Sequence, residues 1–207
     1  MCTPQIIIPV VDVKATTLGD STQSKEKGIA DPMVGGTYFI INDPTNRVYS
    51  GIFAAVSVPV GEYHSRDAAV SPGANRWAAH VNYNYTKGFG SKLVLEANAE
   101  VQVYGKNPDY YGRELNQDPL CRLQLITSYD LTDSTYAGLR FVYAKGASLE
   151  IDGAGINDST VKYTQAGVEL AHFLDRKNQI MVSAARNIDT DNSYHASQFL
   201  FRFSHFF

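Results

Sequence analysis

Glu96 and Glu100 are the first residues in this chain whose type and spacing suggest acid–base work. Residues four apart share one face of a strand, yet about 13 Å of strand rise separates them. That exceeds even the roughly 6.5 to 9.5 Å between the two carboxyls of an inverting glycosidase. His64, His80, His172, His195 and His205 form no H-E-x-x-H pair or other metal spacing, so neither a metal nor a cofactor is expected. The run DTDNSY at 189–194 starts like a calcium loop, but it lacks the glycine at the sixth position and the distant Glu that complete one. Ser128, Ser183 and Ser204 sit in no nucleophile elbow. Gly153 and Gly155 suit a turn better than a phosphate loop. Cys2 and Cys121 are too few for a disulfide scaffold or a four-cysteine zinc site. These residues imply no enzyme.

Charged residues are more informative as a pattern along the elements that carry them. From 76 to 86, Trp77, Ala79, Val81, Tyr83 and Tyr85 alternate with Arg76, Ala78, His80, Asn82, Asn84 and Thr86, which is the period of a strand. From 93 to 103, Leu93, Leu95, Ala97, Ala99, Val101 and Val103 alternate with Glu96, Asn98, Glu100 and Gln102. A helix would scatter those apolar positions around its circumference. Strands are predicted at 5–14, 33–41, 48–60, 76–87, 92–105, 121–131, 135–145, 160–173, 178–188 and 199–207, ten in all. Most are close to the roughly 9 to 11 residues of a tilted membrane-crossing strand, and longer than the ~5 to 6 usual in soluble sheets.

The connections alternate in length. A long polar segment around DSTQSKEKGIAD precedes the short NDPTNR. GEYHSRDAAVSPGAN then precedes GFGS, KNPDYYGRELNQDPL precedes TDS, and GASLEIDGAGINDST precedes LDRKN, with a last loop at 189–198. Outer-membrane barrels join short periplasmic turns with longer extracellular loops, because successive strands cross in opposite directions. The ending FLFRFSHFF puts Phe199, Phe201, Phe203, His205 and Phe207 on one face, and it resembles the C-terminal signal that the barrel-assembly machinery recognises. An all-β, antiparallel transmembrane barrel of the bacterial outer membrane is therefore predicted, with residues 1–207 as one domain and outer-membrane lipid as its surroundings. The start, MCTPQIIIPVV, lacks a basic n-region and carries Asp12 in place of an apolar core. The expectation is a chain truncated at its N-terminus, lacking its signal peptide and first strands, of about 12 strands when complete.

With the apolar face toward lipid, Arg76, His80, Glu96, Glu100, Arg122, Arg140, Glu169 and Arg202 line the lumen. Facing lipid near the midplane would cost about 2 to 4 kcal/mol for each Arg or Lys. These charges form either a bracing set of ion pairs or a polar ring that selects permeating solutes. Trp77, Tyr83, Tyr85, Tyr136, Tyr143, Phe199 and Phe207 are assigned to the membrane interface. A net charge of −3 excludes a polyelectrolyte binder of nucleic acid. Three other readings remain open: a non-conducting structural or adhesive barrel that binds an external partner through its long loops, an outer-membrane hydrolase, for which the sequence assembles no Ser or His constellation, and a soluble barrel with its apolar face inward.

NDP at 42–44, VPVGEY at 58–63, GANRW at 73–77, SYDL at 128–131 and KGASLEIDG at 145–153 resemble, in order and spacing, the outer-membrane transporters of the MetA-pathway of phenol degradation family. Pro59, Gly61 and Tyr63 followed by Asn75, Arg76 and Trp77 carry most of the likeness. Val60 stands where Thr is common in the family, and Lys145 where a second Gly is common. The resemblance implies an outer-membrane channel that admits small solutes passively, aromatic or other hydrophobic compounds among them.

Overall fold

The alternating segments form strands, and the residues between them set where each strand stops. The computed structural model describes residues 2–16, 23–193, 195 and 197–205. Its strands are β1 (Cys2–Ile7), β2 (Val10–Thr16), β3 (Gln23–Ile29), β4 (Met33–Asp43), β5 (Val48–Ser57), β6 (Ala78–Phe89), β7 (Leu93–Tyr104) and β8 (Asn107–Tyr110). They continue with β9 (Arg113–Gln117), β10 (Leu120–Thr132), β11 (Thr135–Gly146), β12 (Leu149–Ile151), β13 (Ala154–Gly155), β14 (Val161–Phe173), β15 (Asn178–Asp191) and β16 (Ser197–His205). Among the described residues, no helix is long and apolar enough to cross a membrane, which says nothing against crossing by strands.

Ten of these strands form one antiparallel wall in the order β1-β4-β5-β6-β7-β10-β11-β14-β15-β16. Every neighbour in that order follows its partner in the chain except where a small hairpin or loop sheet intervenes, so the wall is an up-and-down meander. Within the described residues β1 and β16 do not pair with one another.

At one end of the wall the turns are short, and two of them share a device. Asp43 accepts the backbone N–H of Asn46 at 3.0 Å and its side-chain amide at 2.7 Å. Asp175 does the same with Asn178, at 2.9 and 2.7 Å. An Asp that bonds three residues ahead closes the turn without needing glycine. Gly90 supplies the left-handed conformation, φ +57°, in the turn between β6 and β7. Arg47 ties neighbouring turns together: its guanidinium donates to the Gly90 carbonyl at 2.6 Å and lies 3.7 Å from Asp130.

The first predicted strand, 5–14, is in fact two. The break falls at Ile8 and Pro9, since proline has no N–H to give to a ladder. β1 pairs with β4, whereas β2 and β3 form a separate two-stranded hairpin based on the Ala30 N–H to Pro9 carbonyl bond of 2.9 Å. The predicted strand 48–60 stops at Ser57, where the Val58 N–H turns to the Pro32 carbonyl at 2.9 Å. The long loops also carry strands that were not expected: β8, β9, β12 and β13 form a four-stranded sheet over the long-loop end.

Candidate functional site: the polar face of the wall

Register sorts the side chains onto two faces. Leu125 and Leu139, 59% and 61% exposed, lie on one. Glu100 and His80, with side chains 20% and 12% exposed, lie on the other. Polar groups are therefore the more enclosed, the reverse of a water-soluble sheet, and they enclose one another. Direct pairings place Glu100 opposite Arg122 and Asn82, His80 opposite Gln102, Glu96 opposite Ile126, and Ile126 opposite Arg140. Glu169 pairs across Gly138 and Arg202 across Met181 on this same face.

Toward the long-loop end the polar groups form a relay across four strands. The Ser57 hydroxyl lies 3.0 Å from His80 Nε2, and His80 Nδ1 lies 3.8 Å from Glu100. Glu100 also pairs with Arg122. Just before β6, Arg76 donates to Gln117, which itself donates to the Ala147 carbonyl at 3.2 Å. The Arg76 guanidinium also stacks 4.5 Å from the centre of the Tyr104 ring, a cation–π contact. Ser57, His80 and Glu100 have the order of a nucleophile, base and acid. They lack the rest of the machinery: Ser57 is the last paired residue of β5, the N–H of Val58 after it is taken by the Pro32 carbonyl, and Arg122 neutralises the acid.

Across the middle of the wall, Arg140 donates to Gln165 at 2.7 Å, and Gln165 donates to Asn187 at 3.0 Å. Glu169 lies within electrostatic reach of Arg202, Glu96 and Arg140, which come from three other strands. Gly138 makes room for it, since a Cβ there would meet Glu169 Cγ at 2.8 Å.

All eight charged residues singled out from the sequence thus share the polar face, with Arg76 at its rim. The other assignments are distributed differently. Trp77 is exposed just beyond β6, and Phe199 is exposed on the apolar face of β16. Tyr83 and Tyr85 occupy the apolar face within β6, with the Ser50 hydroxyl donating to Tyr83 Oη at 3.2 Å. Phe207 lies outside the described residues. Tyr136 pairs with Asp130 and shares the face of Arg140, not that of Tyr143. Arg186 lies on the apolar face, exposed, opposite Ala166 and Ser197. Sequence reasoning missed Ser57 and Gln117; neither has a local signal, because each becomes a partner only through the pairing of distant segments.

The long loops are built rather than loose. Asn107, 2% exposed, donates to the Tyr63 hydroxyl and to the Ala74 carbonyl at 3.0 Å each and accepts from Asn75 at 3.1 Å. Tyr63 donates to the Asp109 carbonyl at 2.8 Å, so the loops 58–77 and 105–119 are locked together. Arg113 joins the third loop through Asp152 at 2.7 Å; this hydrogen bond holds the Asp152 carboxyl below the ordinary range. Among the described residues, no group of three His, Cys, Asp or Glu side chains is placed to hold a metal ion.

A meander of long strands, apolar on its exposed face, polar and paired on the other, with turns short at one end and long at the other, is the wall of a membrane β-barrel. The chain belongs to the MetA-pathway of phenol degradation family, whose pattern matches residues 3–203. Its fold is that of an outer membrane channel from Pseudomonas putida F1, with a TM-score of 0.83 at 22% identity; the match covers 98% of this chain and 74% of that one. No curated protein matches the sequence.

Proposed function

We propose that this protein is a channel of the bacterial outer membrane that passes small solutes passively, aromatic or hydrophobic compounds among them. The observation that carries this reading is the sorting of faces: charges of both signs gather on the enclosed face, while Leu125, Leu139, Val168 and Phe201 are exposed on the other. In hydrocarbon such a wall is stable, and the enclosed charges then border a hydrated path. The short turns are periplasmic and the interlocked loops extracellular. The likeness to an outer membrane channel and the family's link to phenol degradation support the reading.

The lumen lining consists of Arg76, His80, Glu96, Glu100, Arg122, Arg140, Glu169 and Arg202, and the apolar band meets outer-membrane lipid. The strand ending at His205 is offered to the barrel-assembly machinery. We also place residues 1–207 in one barrel domain, because a wall that crosses lipid must keep its backbone N–H and C=O groups paired. The interlocking around Asn107 favours a second reading, a barrel closed by its cap that uses the loops to bind an external partner.

Swelling of liposomes containing the refolded protein, in solutions of uncharged solutes of graded size, tests the proposal. Swelling that declines with solute size is expected. Stable insertion without swelling would favour the closed barrel.

A further inference from the structure

A cavity of about 400 Å³ opens on the polar face where β1, β4, β5, β6 and β7 meet. It differs in chemistry from the rest of that face, for its lining contains no Lys, Arg, Asp or Glu. Phe39, Tyr49 and Phe53 supply rings, and Asn82, Asn84 and Asn98 supply amides. Gly51 pairs with Phe39 on one side and with Asn84 on the other, so the cavity floor is bare backbone between ring and amide.

The amides are ordered. The Thr86 hydroxyl donates to Asn84 Oδ1 at 3.2 Å, Asn84 Nδ2 donates to Asn98 Oδ1 at 3.0 Å, and Asn98 Nδ2 donates to Glu96 at 2.8 Å. Asn82, beside Phe53 in register, lies outside this chain of bonds, and so does the Tyr49 hydroxyl. Their side chains make no hydrogen bond among the described residues, which leaves one donor and acceptor pair and one phenol hydroxyl for a guest. The volume fits a single small ring compound with room to pass.

We propose that this cavity is a solute subsite for a small uncharged aromatic molecule bearing a hydroxyl or carbonyl group. The ring of the solute packs against Phe39 and Phe53, and its polar substituent bonds the Asn82 amide, with the Tyr49 hydroxyl a second partner farther along the cavity. An aromatic carboxylate is disfavoured: the lining offers no cation, and Glu96 anchors the end of the amide chain. The proposal rests on the channel reading and adds the class of solute and the place where it pauses.

The test is calorimetric titration of the refolded full-length chain in detergent with phenol and with benzoate, beside liposome swelling on the same preparation. Saturable phenol binding, at least about tenfold tighter than benzoate, is expected, and Asn82→Leu should weaken it by about tenfold, the worth of one hydrogen bond. Tyr49→Phe, which keeps the ring and removes only the hydroxyl, should weaken it by a smaller factor. Folding of each variant is checked by the faster gel mobility of the unheated barrel. Unsaturable phenol binding, equal affinity for benzoate, or folded variants that bind as the parent does would overturn the subsite. Swelling without saturable phenol binding would leave the channel and remove the subsite; saturable binding without swelling would leave the subsite and remove the channel.

Discussion

Glu100 on β7 and Arg122 on β10 stand directly opposite one another, and their side chains join in an ion pair that also faces His80. Because both groups are largely enclosed, removing one leaves the other poorly solvated. Glu100→Gln should cost about 1 to 3 kcal/mol of stability, and the double change Glu100→Gln with Arg122→Gln should cost less than the sum of the singles. Urea unfolding in lipid vesicles measures this; strict additivity would mean that the pair is not coupled.

Asn107 ties three points of the cap with one amide. Asn107→Ala should expose the loops 58–77 and 105–119 to protease while the wall keeps its fast gel mobility. Cleavage unchanged from the parent would show that the cap is held by other contacts.

Asp175 lies in a short turn, and hydrogen bonds from the Asn178 amide and the Lys177 backbone N–H hold its carboxyl below the ordinary range. A folded-state value below the unfolded one means that the turn's stabilisation is present above the ordinary Asp value, about 3.9, and is lost as the pH falls through the depressed one. The amide signals of Lys177 and Asn178 in an NMR titration should move with a midpoint below that value. They should stay fixed over the same range in Asp175→Asn.

Gly167 lies next to Arg140 in register, and a Cβ there would come within 2.8 Å of Ala185 Cβ. Gly167→Val should lower stability by about 1 to 3 kcal/mol through overpacking. Gly155, with open space where a Cβ would go, should tolerate Ala within about 0.5 kcal/mol. The two unfolding midpoints, compared in one detergent, decide the point.

Much of the wall was legible because membrane strands are long and two-sided, so Trp77 to Thr86 and Leu93 to Val103 declare both period and faces. The same rule, applied strictly, puts Tyr136 with Arg140, since four residues separate them; its place on the polar face needed only consistent counting. Other features were not local. Pro9 broke a strand whose apolar run continued past it. β12 and β13 are too short to show a period, and they exist only because β9 pairs with β12. Ser57 meets His80 and Gln117 meets Arg76 through pairing across the fold. Arg186 broke the sorting of charges, and its position follows from the register of β14 and β15. It stands eight residues from the short-turn end of its strand, where a long side chain can reach the membrane interface.

Single-channel conductance of the refolded protein in planar bilayers, with charge reversal at Arg140, tests the channel most directly. Discrete conductance steps are expected, with selectivity shifting toward cations in Arg140→Glu and toward anions in Glu169→Lys. Protein that inserts stably and never conducts, or conductance indifferent to both reversals, would contradict a hydrated lumen lined by these residues.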